Sequence, residues 1–364
     1  MSRPRKSSGV KTRRSAYTWV ELVVVLVVLA VALALGLPAL MAAIERSRRA
    51  NCANNLKAIG VAIGNYATAN KVLPPGTVCS TGPIPPNNQY DVWGEAAQTG
   101  PGYQGTSFLL RILSFTSSSI LPAWNFRGGG VGLNAGTQGA PGLATVDTIP
   151  EFYCPARRNG LRPGDNALLP ASWWPGGGTD YGGCVGRHVA YDTSSPSHDV
   201  LDAGAPNAIV FDPGVSKPDP VYAVYKDSAE TRWGIFGRVN VSTSYGEVRD
   251  GLSNTVAIGE LQRIAVTDAQ HGGANNLSHD GWAIGGDATG FTTGYGGPAI
   301  KINGQPTPPM NNGFFQSPGS DHPGGANFGI ADGSVLFFST SIDPNVFALL
   351  GSMNDSVPAG NFVE

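Results

Sequence analysis

Residues 16–38 read AYTWVELVVVLVVLAVALALGLP. A single carboxylate, Glu21, stands at the head of an apolar run, and the 23 residues from 22 to 44 carry no charge. At ~1.5 Å per helical residue such a run crosses a hydrocarbon core of ~30 Å. The stretch therefore reads as a membrane helix over residues 17–44, and it sorts the rest of the chain into a basic leader before it and a Gly-rich head after it. Two of its residues are unusual for a plain anchor. Ionised groups at a span are expensive and imply a partner or a function, which marks Glu21. Pro38 removes one helical hydrogen bond in the middle of the charge-free run.

The leader, residues 1–16, holds Arg3, Arg5, Lys6, Lys11, Arg13 and Arg14 and no acid. Basic residues flanking a first span stay cytoplasmic, so the head is expected on the exported side of the inner membrane. A secretory signal peptide fits less well, because the apolar run is longer than a signal core and no clear cleavage site closes it. Of 24 basic residues the leader takes six, leaving 18 against 26 acidic ones, a balance of −8 that excludes nucleic acid as a partner.

Past the span the sequence keeps a helical period. Cys52, Leu56, Ile59, Ile63 and Tyr66 recur at steps of four and three, one apolar stripe that continues the helix amphipathically over residues 45–72 and must pack on something. Pro74, Pro75 and Gly76 then end it. The head, residues 73–364, is rich in the 50 Gly and 28 Pro of the chain and poor in charge, at 14%. That composition predicts short strands and long loops rather than a helical bundle. Residues 107–115 read as helix or strand and 125–142 as a long loop. Residues 152–155 read as a strand end stopped by Pro155 and residues 180–186 as a strand with close backbone packing. Strand signals also cover 232–238 and 244–250. A strand over 256–259 closes at Glu260, and strands 326–331 and 334–339 flank Asp332-Gly333, a two-residue hairpin loop with Asp332 at positive φ and Phe328 and Ile330 on one face.

The aromatic-Thr-x-x-Glu start after a basic leader and a small residue resembles the amino terminus of type IV pilins and pseudopilins, with Ala16 where Gly is usual and Tyr17 where Phe is usual. The resemblance implies cleavage by a prepilin peptidase between Ala16 and Tyr17, methylation of the new terminus, and assembly with other pilin-like subunits on a platform through Glu21 and Pro38. Further segments resemble the pilin-like proteins of planctomycete-type bacteria that carry the DUF1559 domain. They are Asn51-Cys52 to Tyr66 with Leu73-Pro74-Pro75-Gly76, Phe152 to Pro155, Asp180 to Gly186, Gly234-Ile235-Phe236, the Asp250-Gly251 segment up to Glu260, and His322-Pro323-Gly324-Gly325-Ala326-Asn327 with Asp332-Gly333-Ser334-Val335. The spacing of nine residues between His322 and Asp332-Gly333 is that family's carboxy-terminal signature. The fold this implies is α+β and pilin-like: a long amino-terminal helix packed on an antiparallel sheet with long Gly/Pro-rich loops.

Chemistry is sparse. Cys52, Cys79, Cys154 and Cys184 allow three disulfide pairings and read as bridges or buried thiols, since none has a metal-ligand spacing. No metal or cofactor is expected. Calcium in the oxygen-rich residues 280–287 or 321–327 is the one ion left open. Of five histidines His322 is the best candidate for chemistry, yet it has no sequence partner as base or nucleophile, so no enzyme is expected. The tryptophans, Trp124 and Trp282 among them, read as core before sugar platforms. Three functions compete: a filament or secretion subunit, a membrane-tethered binding protein for a ligand such as polysaccharide, and an exported hydrolase, the least supported.

Overall fold

In a computed structural model, residues 18–80, 92–97, 104–116, 123–126, 130–145, 149–170, 174, 176–187, 233–264, 278–293, 297–302, 305–314 and 317–354 are described. Ala16, Tyr17 and the rest of the leader lie outside them. Helix α1 spans Trp19–Asn70 and carries Pro38 in its interior. The chain divides into two compact units, residues 1–47 and 48–364.

In the first unit no described residue is buried. Every large apolar side chain from Trp19 to Ile44 is at least 39% exposed, and the best 18-residue window has a mean hydropathy of 3.0. This is the one helix among the described residues long and apolar enough to cross a membrane.

In the second unit the remainder of α1 buries the face the periodicity picked out: Cys52, Leu56, Ile59, Ala62, Ile63 and Ala67. Burying each large aliphatic side chain contributes about 2 kcal/mol. Tyr66, the last residue of the stripe, is half-buried and meets Phe115 edge to face at 6.1 Å. The helix closes at Lys71, whose φ of 66° and N–H to the Ala67 carbonyl make a left-handed cap.

That face packs with a five-stranded sheet, the main one in the head. Its strands are β1 (Tyr181–Arg187), β2 (Val256–Glu260), β3 (Gly290–Thr293), β4 (Gly325–Ile330) and β5 (Val335–Ser339), in the order β5-β4-β2-β1-β3. The α+β expectation holds, with one modification: the β1–β3 pair at the edge is parallel, the other three antiparallel. Large and small residues alternate across the rows. Phe328, Gly259 and Gly182 stand side by side, and a Cβ on Gly259 would lie 2.6 Å from the Phe328 ring. One side of the sheet joins α1, Tyr181, Ile258 and Phe236 in a core. The other holds Phe291, Phe328 and Phe338 under Phe347 of α2 (Pro344–Leu350), with Phe328 and Phe347 rings 5.3 Å apart. Trp124 and Trp282 are buried in the first core, as expected of them.

The β4–β5 hairpin is present, and Phe328 and Ile330 share a core, but its loop has three residues, not two. Gly329 pairs with Val335, Ile330 N–H donates to the Ser334 carbonyl, and Gly333 N–H turns back to the Ile330 carbonyl. This is a type I turn followed by a left-handed residue, which needs positive φ at Gly333 (84°) and not at Asp332. Asp332 instead accepts the Ser334 N–H at 2.8 Å. A Cβ at Gly333 would meet nothing within 4 Å, so its cost is backbone strain alone. Gly333→Val is expected to destabilise the head by about 1–2 kcal/mol and Gly333→Asn by clearly less, read as thermal midpoints. Equal midpoints for Val and Gly would refute the turn.

Other local expectations change for identifiable reasons. Pro150 starts a 3₁₀ turn, Pro150–Phe152, where a strand end was expected. Residues 108–115 are helical, capped by the Ser107 hydroxyl. The expected loop at 125–142 contains a short helix, Val131–Ala135, and a two-stranded ribbon. The described residues 233–250 form turns, because Ser244 and Glu247 close a capping box around Tyr245–Glu247.

Candidate functional site

At the start of α1, Thr18 is the N-cap. The Glu21 carboxylate accepts the Thr18 N–H at 2.8 Å and its hydroxyl at 3.0 Å, while Glu21 N–H points to the Thr18 hydroxyl at 3.4 Å. Thr-x-x-Glu before an apolar run is the capping-box signature, legible in the sequence beside the reading of Glu21 as an assembly residue.

The head contains a second site, built from four distant segments. Cys52 comes from α1. Cys154 follows the Pro150 turn, and its N–H donates to the Asp180 carboxylate at 3.0 Å. The two sulfurs form a disulfide with Cα atoms 5.1 Å apart, one of the pairings the sequence left open. Cys79 and Cys184 are buried thiols. Burial pushes the Cys184 thiol up to about 12, which leaves it inert as a nucleophile.

Glu260 ends β2 with its side chain turned to the same spot. Its Oε2 accepts the backbone N–H of Asn327 at 2.6 Å and the Asn327 side-chain amide at 3.1 Å. Its Oε1 lies 3.4 Å from His322 Nε2 and 3.3 Å from Cys154 Sγ. His322 Nε2 is 3.6 Å from the same sulfur. Cys52, Cys154, Glu260 and His322 are all buried, and their ligand-type atoms lie within 4.8 Å of one another. Tyr181, opposite Glu260 in the β1–β2 register, donates its hydroxyl to the Cys52 carbonyl and accepts from Asn55, each at 3.3 Å. Burial, and next the Glu260 charge, pushes its phenol well above the ordinary value.

A buried ion network holds the Cys154 loop in place. Arg158 donates from Nε to Asp180 (2.8 Å), from Nη1 to Asp165 (2.8 Å), and from Nη2 to Asp280 (2.7 Å) and the Thr179 carbonyl (3.1 Å). Arg263 reaches Asp280 at 3.3 Å. Burial works against the Arg158 charge, but Asp280, Asp180 and Asp165 outweigh it and raise its pKa. Burial alone would push Asp280 up, yet Arg158 and Arg263 hold it below the usual carboxylate range. Asp165 is likewise lowered, against burial, by the Arg162 N–H and the Arg158 guanidinium. For Asp180 burial wins, and its pKa is raised.

These arrangements sort the expected sites. His322 sits in the buried cluster, while Asp332 and Gly333 belong to the hairpin turn. Two of the carboxylates offered to calcium meet guanidinium groups: Asp280 those of Arg158 and Arg263, Asp321 that of Arg157 at 3.1 Å. Glu260 and Arg158 carry no local signal of their roles, since their partners lie up to 122 residues away. Glu260 and His322 are buried, at 1% and 3% exposure.

Searches of curated proteins and of solved structures return no match. Residues 41–345 match the sequence model of a family described as "Protein of unknown function (DUF1559)". That match takes in the stripe of α1, the whole sheet and the cysteine, glutamate and histidine of the cluster, and the chain belongs to the DUF1559 family.

Proposed function

We propose that this chain is a pilin-like structural subunit: a single-pass protein of the inner membrane, cut by a prepilin peptidase after Ala16 and assembled through α1 into a pilus or secretion-type filament. The observation that carries this reading is an apolar helix surface, at least 39% exposed at every large side chain from Trp19 to Ile44, with one carboxylate, Glu21, at its first turn. Exposed apolar surface on that scale needs lipid or another apolar partner. The basic leader supports an amino terminus in the cytoplasm and a head outside, since basic residues flanking a first span stay cytoplasmic. In assembly the Glu21 carboxylate would meet the new amine of Tyr17 on a neighbouring subunit, relieving a membrane penalty of about 3 kcal/mol at most.

The capping box gives Glu21 a second, purely local role, and two variants separate the roles. Glutamine serves in a capping box but carries no charge. Both Glu21→Ala and Glu21→Gln are expected to insert and to be cut to a Tyr17 start, read by mass spectrometry of membrane fractions, yet to be absent from sheared filaments and from subunit crosslinks. Assembly of Glu21→Gln at the parental level would reduce Glu21 to a helix cap. An intact Met1 on the membrane protein would sink the pilin reading.

A further inference from the structure

We propose that Cys52, Cys154, Glu260 and His322 form a zinc site when the Cys52–Cys154 disulfide is reduced, so that this buried cluster has two exclusive states, cross-linked or metal-bound. Zinc is held tetrahedrally by sulfur at about 2.3 Å, imidazole nitrogen at about 2.0–2.1 Å and carboxylate oxygen at about 2.0–2.2 Å, which sets neighbouring ligand atoms about 3.3–3.8 Å apart. Three of the six edges of that tetrahedron already exist. Cys154 Sγ to Glu260 Oε1 is 3.3 Å, Cys154 Sγ to His322 Nε2 is 3.6 Å, and His322 Nε2 to Glu260 Oε1 is 3.4 Å. The fourth corner, Cys52 Sγ, is drawn onto Cys154 by the bond between them.

Two thiolates, one carboxylate and a neutral imidazole suit zinc. Calcium and magnesium take oxygen ligands, and copper(I) selects softer sets. The surroundings are those of a held ligand set. Asn327 fixes Glu260 through Oε2 with two hydrogen bonds and leaves Oε1 facing the sulfur, and Asp180 holds the Cys154 backbone. Such outer contacts orient metal ligands. In the disulfide form Cys154 has no proton to give Glu260, so the carboxylate meets the sulfur without a hydrogen bond. Reduction supplies that proton, and zinc then replaces it.

The chemistry balances simply. A dithiol passes two electrons to the Cys52–Cys154 bond and becomes a disulfide itself, leaving two thiols. Zinc binding releases both thiol protons to solvent as the thiolates ligate the ion. This goes beyond the filament reading and does not depend on it.

The test uses the full chain in detergent micelles, reduced with a phosphine, which takes oxygen from water to become its oxide while the sulfurs take the protons. Zinc content after gel filtration is expected to be one ion per reduced chain and none per oxidised chain. Cobalt(II) in its place should give sulfur-to-metal charge transfer and tetrahedral d–d absorption. His322→Ala and Glu260→Gln are each expected to weaken zinc at least tenfold in chelator competition. No zinc on the reduced chain, equal zinc on both forms, or unchanged affinity in both variants would overturn the site. If either variant fails to fold by circular dichroism, Asn327→Ala, which keeps all four ligands, decides: about tenfold weaker binding supports the site, unchanged affinity overturns it. If reduction unfolds the chain, one equivalent of zinc should restore the fold, and failure to restore it overturns the proposal.

Discussion

Arg158→Met is expected to lose about 3–5 kcal/mol of head stability, a large part of the typical total. One guanidinium serves three carboxylates, Asp165, Asp180 and Asp280, each no more than 2% exposed. Removing the cation leaves those charges in a poorly polarisable interior, and uncompensated buried charge is among the costliest single-site defects. Methionine keeps most of the side-chain volume, so the loss reports charge rather than a cavity. Urea midpoints measure it, and Arg162→Ala, which removes an exposed guanidinium from beside the buried Asp165 and leaves Arg158 in place, is the control expected at about 1 kcal/mol or less.

The pH dependence has a definite sign. Asp165 and Asp280 have depressed folded pKa values, so their contribution is complete above the unfolded value of about 3.9 and is lost as acid carries the pH down through the folded values. Asp180, raised by burial, acts in the opposite sense, and its cost fades on acidification. In Arg158→Met all three acids lose a counter-charge and gain by protonation, Asp280 and Asp165 less because Arg263 and Arg162 remain beside them. The deficit against the parent should therefore narrow between pH 7 and pH 4. A deficit that stays constant would mean that charge is not its cause.

The second large effect is expected from the disulfide. Cys52 and Cys154 close a loop of 102 residues, and chain-entropy arguments assign a loop of that size about 4–5 kcal/mol, with measured losses in small domains of about 2–5 kcal/mol. The double variant Cys52→Ala/Cys154→Ala avoids a stray thiol. Under oxidising conditions its urea midpoint should fall accordingly, while Cys184→Ala, which removes one sulfur from the second core, should cost less. Equal midpoints for the double variant and the parent would mean that the bond is not made in solution.

The parts of this molecule that were legible in the sequence are those with a local period or a local turn. The Cys52, Leu56, Ile59, Ile63 stripe names the buried face of α1 because a helix repeats every 3.6 residues. The strand ending at Glu260 and the hairpin around Gly333 follow from β-prone runs broken by Asp-Gly. The hairpin loop length was misread because a left-handed glycine serves two-residue and three-residue loops alike, and only the register of Gly329 with Val335 separates them. The cluster and the network were illegible for a different reason. Cys154 and Glu260 are 106 residues apart, Arg158 and Asp280 122, and no spacing rule spans such distances. Thr18 with Glu21 is the opposite case: the capping spacing is three residues, local, and stands in plain view.

The cross-link between Cys52 and Cys154 also determines how the head answers tension. A pull applied upstream of Cys52 and downstream of Cys154 travels through sulfur and not through the chain that joins them over a sequence separation of 102. At ~3.3–3.6 Å per extended residue, roughly 340–370 Å of chain is thereby shielded from stretching. Packing of α1 on the sheet can yield under load, but while the bond is intact this shortcut cannot. A chain built this way can be dragged by its helix without paying out the segment between the two cysteines, and reducing one buried bond would turn that stiff connection into a long, compliant one.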